Sequence, residues 1–401
     1  MENNTDNLYD ATVDIPGRRM FLYDLAEWKN GLAFKKIDFS DEGVPVIKIA
    51  ELNGGISSNT SYTKGVYSDD VHLFKGDMVF SWSGNPQTSI DIFRFKLSEG
   101  WLNQHIFKVT PKEEIIDEDY FYYLMKWLKP IFTKIASNKQ TTGLGHVTIK
   151  DLKQLEVVVP SLDVQKKVAS VLKKFDDCID VNVEIIENLV NQVRALYKER
   201  FCDSIPDTDT LWKEVTLNDL VEISTRTFSP EKNPGVDVEH YSIPSYDEVH
   251  FPVFENADDI KSNKYRVNKN SILVSKLNPS IKRIWRPYCL TENPVCSTEF
   301  IVYEAKNKKY KDFLYALLDS KPFMDHLCST VTGSTGSRQR AMPKATLEYS
   351  FKMAPDDEIT RFCEDVKPMC ENMDRCAVEN YKLAEMRNAL IPMVLSGQIK
   401  L

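Results

Sequence analysis

The chain has 401 residues, 42% of them apolar and 27% charged, with a formal net charge of −8. That length allows two or three domains, and that mix belongs to an ordinary globular protein rather than a disordered or fibrous one. No apolar run is long enough to span a bilayer, and residues 1–19 carry neither an apolar h-region nor a cleavage signal, so no membrane partner and a cytoplasmic location are expected.

After the polar leader, 1–19, a short helix is expected at 22–29. Strands punctuated by Gly, Pro and Asn follow in VPVIKIA, DMVFSWS and HIFKVT, then an aromatic amphipathic helix at 118–136. A Thr/Gly loop and an alternating apolar run, QTTGLGHVTIKDLKQLEVVVP, close at Pro160. A long helix starts at Ser161 with acid in its first turn, as the helix dipole prefers. The same order then recurs: a helix at 217–223, strands in HYSIP, SILVSKL and STEFIVYEA, and a helix at 311–329. TGSTGSRQRAMPKATLEYSFKMAP then closes at Pro355, and a second long helix starts at Asp356.

The recurrence is an internal repeat. Pro160 and Pro355 are 195 residues apart, as are LYDLAE and LNDLVE, while KGDMVFS and KNSILVS are 194 apart. An α+β fold follows, with two tandem strand-rich domains, 20–160 and 215–355, each followed by a helical region, 161–203 and 356–401. Residues 204–214 are a linker. In the first long helix Ile179, Val183, Ile186, Val190, Val193 and Tyr197 recur at three- and four-residue steps. The second carries Met369, Met373, Cys376, Leu383, Met386, Leu390 and Met393, interrupted by Asn380. Each seam needs a partner, and the duplicated copy offers one, so the helices are expected to pack as an antiparallel coiled coil. Such packing would put the two domains at opposite ends of a rod. Residues 180–201 alone span about 33 Å, close to the roughly 34 Å of one DNA turn.

A net negative charge speaks against nucleic acid, but its distribution does not. Between Asp259 and Glu292 there is no acid and there are eight bases: Lys261, Lys264, Arg266, Lys269, Lys276, Lys282, Arg283 and Arg286. Between Asp325 and Glu348 there is again no acid, with Arg338, Arg340 and Lys344, and Asp119 and Asp151 bracket five lysines and His146. Phosphate contact is expected there. The eight cysteines show no C-x-x-C and no zinc-spaced Cys/His pairs, so reduced, mostly packed thiols and no metal or other cofactor are expected.

The chain resembles the specificity subunit of type I restriction-modification systems. GDMVFSWSGNPQTSIDIF with LNQHIFKV carries the resemblance in the first copy, and SILVSKLNPSIKRIW with VCSTEFIV in the second. GHVTIKDLKQLEVVVPSLDVQKKVASVL and the terminal RNALIPMVLSGQ complete the pattern, which covers about residues 20–401. One departure is that Pro160 and Gln165 of the first hinge become Pro355 and Thr360 in the second, so the hinges are expected to differ locally. The resemblance implies two target-recognition domains that bind the halves of a bipartite, asymmetric double-stranded DNA sequence. It also implies conserved helices that recruit two adenine-N6 methyltransferase subunits, and restriction subunits that can join.

Base readers and phosphate binders are expected at the strand ends and in the Thr/Gly loops, where glycines let backbone approach phosphate. In the first domain these are Ser81, Trp82, Ser83, Asn85 and Gln87, with Lys139, Gln140, Thr141, Thr142 and His146. In the second they are Lys276, Asn278, Ser280, Lys282, Arg283 and Arg286, with Ser337, Arg338, Gln339, Arg340 and Lys344. Gln104 and His105 are expected to serve a strand start. No Asp/Asn-Pro-Pro-aromatic tetrad accompanies Asn85-Pro86 or Asn278-Pro279, and no Pro-Asp precedes a Glu-x-Lys at nuclease spacing, so catalysis is not expected. The remaining reading is a duplicated coiled-coil scaffold that binds protein only, which leaves the matched acid-free windows unexplained.

Overall fold

The structure, a computed structural model, describes residues 13–57, 59–140, 143–203, 211–332 and 339–401. They form two compact units, Met1–Cys178 with Leu383–Leu401, and Ile179–Lys382.

In the first unit Arg18–Phe21 pairs antiparallel with Glu156–Val159. A four-stranded sheet runs in the order Ala26–Asn30, Ile106–Pro111, Met78–Ser81, Asp91–Arg94, and a second in the order Tyr62–Thr63, Val44–Ile47, Glu99–Leu102, His72–Phe74. The second unit repeats the plan. Lys213–Thr216 pairs with Ser350–Met353, and a sheet runs Val221–Ser224, Phe300–Ala305, Ser271–Ser275, Ile284–Trp285. Val44–Ile47 lies parallel to Glu99–Leu102, and Asp237–Tyr241 parallel to Pro294–Ser297.

Each unit is organised around one strand buried on both faces. Along Met78–Ser81, Met78 and Phe80 face the core built from the helices, and Val79 faces the core of the second sheet. Along Ser271–Ser275, Ile272 and Val274 face one core and Leu273 the other. Alternation with period two accounts for this, and it explains why both strands read as unbroken apolar runs.

Several expected elements are altered. The opening helices shrink to single turns, Leu22–Leu25 and Leu217–Leu220, because the chain then enters strands Ala26–Asn30 and Val221–Ser224. VPVIKIA is strand only to Ile47, and Ile49–Gly54 is helical. The aromatic helices are each broken in two, Glu118–Trp127 with Lys129–Asn138 and Lys311–Asp319 with Lys321–Ser329. Pro130 and Pro322 sit in the first turn of each second helix, where a missing N–H is harmless, whereas inside one continuous helix it would not be.

The long helices are Leu162–Lys198 and Asp356–Leu395. In the first unit Val168, Ala169 and Leu172 share a core with Ile391, Val394 and Leu395, and Arg387 pairs with Asp176. In the second unit Val193 and Tyr197 share a core with Phe362, Val366, Cys370 and Met373. There Asn182 bonds Asn380 and Arg200 pairs with Asp365, so the segments are antiparallel. Cys376 is also buried, and Ile179, Ile186, Val190, Leu383 and Leu390 are half-buried. Val183, Met386 and Met393 depart from the expected seam and are exposed. The polar Asn182 is buried in place of Val183, because Asn380 satisfies its amide at 2.9 Å, a substitution that a purely apolar pattern does not register.

The leader residues Arg18 and Arg19 belong to a strand, Val13 packs on the first core, and Asp14 N donates to Ser396 O at 2.6 Å. The linker residues 204–210 lie outside the described residues. The hinges differ as the Gln165-to-Thr360 change suggests. Fully buried Gln165 accepts from Asp117 N at 2.7 Å and donates to Ile115 O and Pro160 O at 3.1 and 2.8 Å. In the second unit the Tyr310 hydroxyl instead donates to Asp356. Gln165→Ala strips one buried N–H and two carbonyls of their partner, which should destabilise the first hinge by about 2–4 kcal/mol. Hydrogen exchange of the full chain should then quicken across residues 115–127, whereas Thr360→Ala should leave the second hinge nearly unchanged.

Candidate nucleic-acid interface

In each unit the fully buried strand runs out at a sheet rim, where the Thr/Gly loop returns. After Ser81, half-buried Trp82 leads into Ser83–Gly84, which pairs antiparallel with Gly145–His146. Gly145 is required there, since a Cβ would lie 2.3 Å from Ala136 O. In the second unit Ser275 ends the strand, Lys276 follows, and Leu277 bridges Arg340.

The same backbone bonds build both rims. Trp82 N donates to His105 O at 3.3 Å, and Val147 N to Trp82 O at 2.8 Å. Lys276 N donates to Glu299 O at 2.9 Å, and Ala341 N to Lys276 O at 2.9 Å. Positions 82, 105 and 146 therefore correspond to 276, 299 and 340.

Their side chains differ in kind. Trp82 stacks on Phe107 with centroids 5.7 Å apart, has His105 at 5.7 Å and His146 at 5.8 Å, and donates through Nε1 to Asn30 Oδ1 at 3.0 Å. Buried His146 Nδ1 has no partner among the described residues. At the second rim Arg340 donates through Nε and Nη2 to the two Glu299 oxygens, each at 3.0 Å. That hydrogen-bonded carboxylate holds the Arg340 pKa above its ordinary value.

The other expected residues divide by partner. Ser83 is buried, and Gln87, Gln140, Ser280 and Lys344 are exposed. Asn85 Oδ1 accepts from Gln87 N and Thr88 N at 2.9 and 3.2 Å and so shapes its turn. Asn278 takes φ +48°, a conformation asparagine tolerates, and its N–H donates to Gln339 O at 2.9 Å. Lys139 pairs with Asp151. Thr141, Thr142, Ser337 and Arg338 lie outside the described residues.

Three of the basic residues are held by carboxylates. Lys282 pairs with Asp319 at 2.6 Å, and Arg283 holds Asp247 through two bonds of 2.6 and 2.8 Å. Arg286 lies 2.9 Å from Asp312 and 3.7 Å from Asp374. Arg283 and Arg286 are themselves buried. Burial opposes the Arg286 charge, and Asp374 and Asp312 more than offset it, raising its pKa. Three of the eight bases of the acid-free window are thus neutralised by carboxylates remote in sequence. In the first unit Lys126 and Lys129 likewise share Asp91, at 3.0 and 2.7 Å.

Asn30 and Glu299 belong to the rims without having been expected there, and Lys150 was expected only as one of five lysines in an acid-free window. Lys150, in the turn Ile149–Leu152, is the exposed counterpart of Lys344 in Pro343–Thr346, and the 194-residue offset would have paired them. Gln104 and His105 stand beside the first rim, their ring and amide nitrogens 3.4 Å apart. Among the described residues no group of His, Cys, Asp and Glu is placed to hold a metal ion, and no helix is long and apolar enough to cross a membrane. Burial pushes the thiols of Cys363 and Cys370 up to about 11 and about 12, so both stay protonated.

The family model described as type I restriction modification DNA specificity domain matches twice, at residues 18–191 and 210–348. The type I restriction enzyme MjaVIII specificity subunit of Methanocaldococcus jannaschii is 26% identical over 45% of this chain and 43% of that protein. The MjaIX specificity subunit of the same organism is 25% identical over 74% of this chain and 72% of that protein. This chain thus spans less than half the length of the first relative and nearly three quarters of the second. The crystal structure of a type I restriction-modification system S subunit from M. genitalium shares the fold, with a TM-score of 0.53 at 17% identity, covering 98% of each chain.

Arg286→Ala should cost about 3 kcal/mol in urea unfolding of the full chain, because it leaves Asp312 and Asp374 with Lys311 alone to offset two neighbouring carboxylates, while Lys344→Ala should cost almost nothing. A second expectation concerns pH. Burial opposes ionisation of Asp151, but hydrogen bonds from Lys139 and Thr148 hold its pKa below the ordinary value. Its contribution should be fully present above about pH 4, the unfolded value, and lost as pH falls through the lower folded value. Hydrogen exchange of residues 145–152 against pH would report that opening.

Proposed function

The chain belongs to the type I restriction-modification DNA specificity family, and on that premise we propose that it is the non-catalytic DNA-reading subunit of such a system, each unit reading one half of a bipartite, asymmetric double-stranded target. The observation that carries this reading is the duplicated rim with unlike side chains. Trp82, His105 and His146 stand in one unit where Lys276, Glu299 and Arg340 stand in the other. One backbone framework gives both units the same approach to a duplex, and unlike rims give them unlike base preferences. Exposed Lys150 and Lys344 serve phosphate, which fixes register and makes affinity salt-dependent.

The partners in this reading are two adenine-N6 methyltransferase subunits, with restriction subunits able to join them. Exposed Val181 and Val183 on the central helix, and exposed Met386 and Met393 on the C-terminal helix, supply apolar surface for them.

N6-methyladenine should be mapped by long-read sequencing in a methylation-free host that expresses the chain with its methyltransferase. A bipartite motif with a fixed spacer, absent without the chain, is the expected result. No motif from a soluble complex would overturn the reading.

A further inference from the structure

We propose that Arg340, positioned by Glu299, reads a guanine in the half-site of the second unit, an inference that rests on the DNA-reading role above. Glu299 takes the guanidinium side-on through Nε and Nη2, both at 3.0 Å, so the plane of the guanidinium is set before DNA arrives. The outer edge, Nη1 and the second Nη2 proton, has no partner among the described residues. The Arg340 side chain is 46% exposed, and its backbone is fixed by the bridge to Leu277 and by the pairing of Arg340–Ala341 with Val331–Thr332.

Two donors in one rigid fork match the adjacent N7 and O6 acceptors on the major-groove edge of guanine. Adenine offers an acceptor and a donor there and is rejected. Preorganisation by Glu299 lowers the ordering cost of a long side chain. The carboxylate also argues against a phosphate ligand, because the Arg340–Glu299 pair has no net charge to offer an anion, and Glu299 would repel one. A base edge carries no net charge and pays no such penalty. His146 at the equivalent place in the first unit cannot present a two-donor fork, so the first half-site lacks this contact.

The test uses the full chain with its methyltransferase subunits in a methylation-free host, with N6-methyladenine mapped for wild type, Arg340→Ala, Arg340→Lys and Glu299→Gln. Arg340→Ala should relax one guanine of one half-site to any base, a loss of discrimination of about tenfold to a hundredfold, and leave the other half-site unchanged. Arg340→Lys should relax the same position, because it keeps the charge and loses the fork. Glu299→Gln should keep the guanine with weaker discrimination. An unchanged motif in Arg340→Ala overturns the proposal, as does a uniform drop in methylation that Arg340→Lys restores, which is the signature of a phosphate contact. A wild-type motif with no guanine in either half-site overturns it while leaving the reader function standing. A wild-type chain that directs no bipartite motif overturns both.

Discussion

The architecture depends on one strand per unit that is buried on both faces. Met78–Ser81 and Ser271–Ser275 each divide their side chains between two cores. A slip of one residue would exchange every side chain between those cores, so the register is strongly specified. Trp82 and Lys276 are therefore delivered to the rim at a set height. His105 or Glu299 meets them from the neighbouring strand, and His146 or Arg340 from the returning loop.

That framework separates two tasks that proteins of this kind must keep apart. Stability resides in apolar layers that both units share, while the identity of the rim side chains is free to differ because those side chains stand at the edge of the packing. The second rim carries a preorganised cation held by its own carboxylate. The first carries Trp82 and two imidazoles, with the buried Phe107 ring stacked behind Trp82. The hinges show the same economy in a structural role. A buried glutamine ties the start of one long helix to the preceding domain, and a tyrosine–aspartate bond stands at the other.

Linear charge patterning was a poor guide to surface potential. Lys282, Arg283 and Arg286 sit in a stretch without a single acid, yet Asp319, Asp247, Asp312 and Asp374 reach them from other elements. A buried guanidinium must find a carboxylate or leave the interior, and the partner can come from anywhere in the fold. The apolar seam failed at particular positions for a related reason. Asn182 takes a buried place because Asn380 can satisfy it, and Val183 is left outside.

What the sequence by itself determined was the duplication, the α+β class, the two long helices and the family, because these rest on periodicity and repetition, which are local properties of a chain. The breaks at Pro130 and Pro322 were legible in principle, since proline acts through its own missing N–H. Only the tertiary structure decided which cations are free, that Glu299 and Arg340 meet, and that Asn30 touches Trp82. Those relations join residues 41 and 52 positions apart, and a contact across that distance is set by strand pairing and burial rather than by any pattern along the chain.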